Sequence, residues 1–193
     1  MNYCRWIIAA LWLIFVVYWS VSAVGVKRST GRRLWRNEIA LRLVILLLFV
    51  GLLQSGPLRQ FIAETRRSFG DSELAGWIGV SLCLAGFGLA FHARRHLGRN
   101  WGMPMSQKEQ PELVTSGPYA RIRHPIYSGL ILAMLGSALG ANPSLLVLLI
   151  PVSVYFIFSA RREEAVMLQQ FPDAYAAYKA RTGMLLPRLF RRH

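Results

Sequence analysis

The chain has 193 residues, 54% of them hydrophobic, and a mean hydropathy of +0.35. Its apolar residues are bunched into runs near or above the roughly 20 residues that cross a bilayer, which excludes an ordinary soluble core. The formal net charge of +14 calls for an anionic partner. The basic residues flank the apolar runs instead of lining one polar surface, so lipid headgroups are expected and nucleic acid is not. Cys4 and Cys83 sit at or within apolar segments, and no paired Cys/His spacing supports a disulfide framework or a metal site.

The first apolar run, Trp6 to Val26, reads as a membrane span. No small-residue cleavage site follows it, so it is expected to be retained as an anchor, and Trp6, Trp12, Tyr18 and Trp19 suit the interfaces. Lys27, Arg28, Arg32, Arg33 and Arg36 then place five basic residues in ten. A second span is expected from Ile39 to Leu58, with Arg42 near its basic end and able to snorkel. After the mixed-charge linker Arg59 to Glu73, a third span from Leu74 to His92 carries Gly76, Gly79, Gly86 and Gly88, small residues that let helices approach closely. His92 to Tyr119 is a polar stretch of roughly 30 residues, longer than a mere connector and so expected to be functional.

Ile126 to Gly140 and Ser144 to Ser159 are two shorter apolar runs joined by Ala141-Asn142-Pro143, a turn signal that predicts a closely paired hairpin. Arg161 to Ala180 reads as a helix of mixed polarity, and the following Leu185-Leu186-Pro187-Arg188-Leu189-Phe190 segment as one that lies on the membrane surface. Lys and Arg number eighteen in residues 27–36, 93–123 and 161–193, against four (Arg5, Arg59, Arg66, Arg67) in the alternate segments. The positive-inside rule then predicts an all-α integral membrane protein of five spans, its amino terminus outside and its carboxyl terminus in the cytoplasm. A bacterial inner membrane fits this pattern.

Between Gly117 and Gly129 two prolines, two tyrosines, two arginines and a histidine crowd the mouth of the fourth span. Pro125 fixes φ and pushes His124 out of the helical region, so extended chain before it and helix from it are expected. Polar side chains at such a boundary are where a water-borne ligand meets a lipid-borne one. Glu163-Glu164, just past an apolar helix, calls for cationic partners; Arg123, Arg161, Arg162 or a cationic ligand are the candidates.

Leu113-Val114-Thr115-Ser116-Gly117-Pro118-Tyr119, then Arg123-His124-Pro125-Ile126-Tyr127-Ser128-Gly129, then Glu163-Glu164 resembles the isoprenylcysteine carboxyl methyltransferases and the related phospholipid N-methyltransferases. The resemblance runs from about Leu97 to Phe190 and takes in Phe171-Pro172-Asp173-Ala174-Tyr175 and Thr182-Gly183. It implies S-adenosylmethionine as methyl donor, a lipophilic or prenylated acceptor, and a division into an N-terminal three-span region (1–92) and a catalytic region (93–193) built on the hairpin 126–160. By the same resemblance Glu112, Leu113, Val114, Tyr119, His124, Pro125, Tyr127, Glu163 and Glu164 bind the cofactor. Leu113, Val114 and Tyr119 would wall its adenosyl part, Glu163 would hold its ammonium, and Glu164 would support it. Arg123, Tyr127 and Glu163 are expected to act in catalysis. One position departs: where the isoprenylcysteine enzymes carry a substrate-steering arginine, one helical turn before the glutamate, this chain has Ser159. Either Arg123 or Arg42 substitutes, or the acceptor is not a prenylcysteine carboxylate.

Each feature also has a plainer reading. Glu163-Glu164 reads equally as a solvated face paired with Arg161 and Lys179, and Tyr119 and Tyr127 as interfacial belt residues. Gly86-Phe87-Gly88 resembles a cofactor glycine motif of the phospholipid enzymes, but helix packing accounts for it. His92 and His96 have metal-ligand spacing without a third ligand, so headgroup contact is expected instead. Phospholipid or amine N-methylation, thiol S-methylation, a non-catalytic membrane scaffold and an NADPH-dependent membrane reductase remain the alternative functions. A carboxylate acceptor needs no base at neutral pH, whereas an amine or thiol would recruit Tyr127 or Glu164.

Overall fold

A computed structural model describes residues 3–22, 29–30, 55–57, 60–61, 63–64, 72–98, 107–108 and 113–188. The expected second span lies outside these residues except at Ser55–Pro57, as do Arg42, Glu112 and most of the 99–112 loop. The described helices are α1 (Tyr3–Ser22), α2 (Glu73–Leu97), α3 (Pro125–Gly140), α4 (Leu146–Gln170) and α5 (Pro172–Arg181). Single 3-10 turns, Gly117–Ala120 and Pro143–Leu145, precede α3 and α4. Among the described residues, three segments have the length and apolarity to cross a membrane: Tyr3–Ser22, Glu73–Leu97 and Pro143–Gln170. The shorter α3, at 16 residues, reaches about 24 Å. This is a helical membrane protein.

Two boundaries differ from the sequence expectation. α2 runs on past His92 to Leu97, because nothing in Ala93-Arg94-Arg95-His96-Leu97 breaks a helix and the basic last turn complements its dipole. Gly98, at φ 52°, ends it. The mixed-polarity helix expected from Arg161 to Ala180 is two helices. Its first half continues the apolar fifth run as one 25-residue helix, α4, and the break falls at Phe171. A change from apolar to charged residues does not stop a helix; Pro172 does, by holding Phe171 at φ −137°, ψ 65° and opening α5. Glu163 and Glu164 therefore ride rigidly on the helix that crosses the lipid. Pro125 opens α3 as expected, with His124 as its cap.

α2 and α3 pack antiparallel along a seam of small residues. A Cβ on Gly79 would strike the backbone of Gly136 and Gly140, and one on Gly86 the backbone of Gly129 and Ala133. Such a seam replaces side-chain interdigitation with direct backbone contact, the usual glue between helices in lipid. α1 lies across it. Ile8 abuts Gly140, the Trp12 indole donates to Ser137 Oγ at 2.8 Å, and Phe15 stacks on Phe87 and Phe91 at 5.0 and 5.7 Å. Ser137 donates in turn to Ala133 O at 2.8 Å, and the Cys83 thiol reaches the same carbonyl at 3.2 Å. The polar atoms of this dry interior satisfy one another.

The contacts of α1 advance with those of α2 in the same direction, ending where Arg94 donates to the Ser22 carbonyl. The two helices are thus parallel, and Ser22 lies at the Leu97 end of α2, opposite Glu73. The carboxyl-terminal ends of α1 and α2 therefore lie together, and Ser29–Thr30 pair antiparallel with Gln107–Lys108.

Within Gly86-Phe87-Gly88, Gly86 is part of the seam while a Cβ on Gly88 would meet nothing within 4 Å. Gly86→Leu should therefore lower stability by about 3 kcal/mol through overpacking. Gly88→Ala should be neutral or stabilising by up to about 1 kcal/mol. Denaturation by sodium dodecyl sulfate in mixed micelles checks both, and equal losses at the two positions would contradict the seam.

Candidate active site

The polar loop before α3 is held by chain geometry and by the C-terminal segment. Gly117 adopts φ 57°, and a Cβ there would land on the His96 imidazole, so glycine is required twice over. The following 3-10 turn buries Tyr119, whose carbonyl accepts the Tyr178 hydroxyl of α5 at 2.6 Å. Burial pushes the Tyr178 phenol up to about 12 and raises that of Tyr119, so both stay protonated donors at neutral pH. Residues 121–124 then run beside 183–184. Ile122 bridges Gly183 in parallel, Arg123 N donates to Gly183 O at 2.8 Å, and His124 N donates to Met184 O at 3.0 Å. Ser128 Oγ fastens the next residue, donating to Leu185 O at 2.5 Å.

Onto this platform α4 delivers two carboxylates. Consecutive helical residues point about 100° apart, and the pair divides accordingly. Glu164, with a side chain only 3% exposed, accepts from Arg123 Nε at 2.6 Å and pairs with Lys179 Nζ of α5 at 2.9 Å. Arg123 Nη1 also donates to Thr182 O at 2.5 Å. Glu163, 27% exposed, accepts from the Tyr127 hydroxyl at 2.5 Å and lies 3.5 Å from His124 Nδ1. The rings of His124, Tyr127 and Phe156 stand nearly parallel, with centroids 5.6 and 4.7 Å apart.

His124 is enclosed between the two acids, its Nε2 3.4 Å from Glu164 Oε1 but without a hydrogen bond of proper geometry. Burial disfavours the imidazolium, yet the hydrogen bonds and charges of Glu163 and Glu164 outweigh it and raise the pKa above the ordinary 6.5.

The structure brings Arg123, His124, Pro125, Tyr127, Glu163 and Glu164 together, with Tyr119 within electrostatic reach of Glu163. Leu113 and Val114 are half-buried in the extended segment leading to Gly117; Glu112 lies outside the described residues. Arg162 places its guanidinium over Phe158, 5.8 Å from the ring centroid. His92 and His96 contact each other edge to face at 4.4 Å, and no cluster of three or more metal-ligating side chains occurs among the described residues. Ser159 is fully buried, with no hydrogen-bond partner for its hydroxyl among the described residues. The sequence reading missed Phe156 and Tyr178, and included Thr182 in the resemblance without a role. Phe156 was detectable, being seven residues and two turns before Glu163 on one helix face; Tyr178 gave no such signal.

A helical membrane protein with a braced acidic pair at the mouth of a helix hairpin is suited to receive a cation. Residues 74–174 match the phospholipid methyltransferase family, and the chain belongs to it. It is accordingly a membrane methyltransferase. It is 31% identical over 172 residues to the cobalt-zinc-cadmium resistance protein CzcN of Cupriavidus metallidurans, covering 86% of this chain and 70% of that one. It is 30% identical over 110 residues to the protein-S-isoprenylcysteine O-methyltransferase of Schizosaccharomyces pombe, covering 55% of this chain and 46% of that protein. With the methanethiol S-methyltransferase of Pseudomonas deceptionensis it shares 25% identity over 92% of its own length and 71% of the relative's.

Removing Arg123 leaves a buried carboxylate with only Lys179 and His124 to balance it. Arg123→Met should cost about 3 kcal/mol of stability, the low end of the range for breaking a buried pair because Lys179 remains; thermal unfolding in detergent measures it. His124, with its folded pKa raised, contributes stability that is complete below pH 6.5 and is lost as pH climbs through the higher folded value. The stability difference between wild type and His124→Gln should shrink over that rise, as paired unfolding curves across pH will test.

Proposed function

We propose that this chain transfers a methyl group from S-adenosylmethionine to a lipophilic acceptor at the cytoplasmic face of a bacterial inner membrane. The observation that carries the proposal is the contrast within the acid pair. Glu164 is balanced by two permanent cations and is closed off, whereas Glu163 is oriented by a phenol and an imidazole and remains 27% exposed. An anchored, partly open carboxylate beside stacked aromatic rings fits a ligand bearing an ammonium and a sulfonium.

When bound, S-adenosylmethionine supplies a methyl group on a positively charged sulfur, ready for in-line displacement. On this reading Glu163 takes the ammonium, and Tyr127 and His124 hold Glu163 in place. Leu113, Val114 and Tyr119 wall the adenosyl part, Glu112 is a further expected cofactor residue, and Pro125 fixes the turn. Arg123 and Glu164 are positioning residues that lock the 121–124 loop to α4 and α5. Most of the rate is expected to come from holding donor and acceptor in line and from excluding water. The acceptor would enter sideways from the bilayer, between helices. Residues 1–92 serve as the membrane region and 93–193 as the catalytic one. Five spans with the amino terminus outside is the topology we favour, supported by the carboxyl-terminal ends of α1 and α2 lying together.

For the acceptor, a prenylcysteine-like carboxylate is one reading. A neutral thiol or amine is the second, favoured by uncharged Ser159 one turn before Glu163 and by the commitment of Arg123 to Glu164 and Thr182. Calorimetric titration of the purified chain with S-adenosylmethionine tests the donor site. Glu163→Ala should weaken binding by about a hundredfold or more, and unchanged affinity would remove the assignment. Radiolabelled methyl transfer into a lipid extract separates an enzyme from a scaffold, and a parallel titration with NADPH addresses the reductase alternative.

A further inference from the structure

The acid pair is unequally balanced. Glu164 faces the Arg123 guanidinium at 2.6 Å and the Lys179 ammonium at 2.9 Å. Glu163 faces the neutral Tyr127 hydroxyl at 2.5 Å, and the one cationic side chain paired with it among the described residues is His124 at 3.5 Å. The groups around the imidazole are Glu163 and Glu164 from α4, Tyr127 from α3, its neighbour Arg123, Lys179 and Tyr175 from α5, and Tyr119 from the 3-10 turn. The His124 side chain is 9% exposed. Its Nε2 lies 3.4 Å from Glu164 Oε1 without a well-formed hydrogen bond.

We propose that His124 is the resident cation of Glu163 and surrenders its proton when a cationic ligand arrives there, so that binding of S-adenosylmethionine is coupled to release of one proton. The inference rests on the reading of Glu163 as the cofactor carboxylate. Two positive charges about 5 Å apart in partly dry surroundings repel strongly enough to lower the imidazole's proton affinity about a hundredfold. The incoming cation also neutralises the carboxylate that kept the imidazole charged. A lysine or arginine at this position would compete with the ligand permanently; a histidine can withdraw its charge and leave its ring stacked on Tyr127. The carboxylates raise the His124 pKa against the opposing effect of burial, which favours the protonated ring while no ligand is present. The proton passes to solvent, and no carbon or sulfur bond changes in this step.

Calorimetry of S-adenosylmethionine binding to the full chain in detergent micelles, in phosphate and in Bis-Tris, counts the protons released. Below about pH 7 the ligand's own amine stays charged, so the signal there belongs to the protein. Wild type should release close to one proton, with affinity rising about tenfold per pH unit from about pH 5.5 to 7. His124→Gln and His124→Asn should bind with buffer-independent heat and an affinity flat over the same range. Wild-type binding with buffer-independent heat and flat affinity would overturn the exchange while leaving the Glu163 reading intact. Proton release that persists in both variants would overturn the assignment to His124. No binding in either buffer would remove the cofactor reading itself.

Discussion

The buried carboxylate of Glu164 is the constraint on which the rest of the site depends. A charge that is 3% exposed is tolerable only where cations meet it directly, and those cations come from two other parts of the chain. Arg123 belongs to the loop before α3 and Lys179 to α5. Satisfying one side chain therefore draws the membrane helix, the proline-bounded loop and the C-terminal helix to one point. The backbone bonds from 121–124 to 183–184 tighten the same junction. With Glu164 committed inward, helical geometry turns Glu163 about 100° away, toward Tyr127 and His124.

The membrane part sets where that junction stands. Backbone contact along the α2–α3 seam leaves little freedom for α3 to slide, because displacing it by a turn would bring side chains against glycine-sized gaps. α3 begins at Pro125 and so carries its polar entrance at a set depth relative to the basic end of α2, where His96 meets Gly117. The Trp12, Ser137 and Cys83 contacts fasten α1 to the same pair of helices without an unsatisfied polar group among them. The lipid-crossing region and the acid pair are parts of one body, joined by α4.

The acid pair also divides a structural task from a ligand-facing one between neighbours in sequence. Glu164 holds permanent partners and closes the fold. Glu163 is anchored by groups whose charge is zero or adjustable, which leaves room for a cation from outside. The chain's membership of the phospholipid methyltransferase family is consistent with this division, which leaves a partly exposed carboxylate on the helix that carries the buried one. Ser159, on the same helix one turn before Glu163, is uncharged and buried.

By itself the sequence determined the membrane class, the apolar runs, the helix start at Pro125 and the grouping of Arg123, His124, Tyr127 and the glutamate pair. Hydrophobic run length, proline chemistry and local motif spacing are written in neighbouring residues. Tertiary structure alone decided that α4 carries on through the charged residues to Gln170, that Gly86 packs while its neighbour Gly88 does not, and that Arg123 answers Glu164 rather than Glu163. It also decided that Tyr178 and Thr182 brace the loop from about 60 residues downstream. These outcomes depend on which faces meet after the chain has folded back through the bilayer. Two adjacent carboxylates look alike in a sequence, and only the positions of distant cations make one of them a buried brace and leave the other partly exposed.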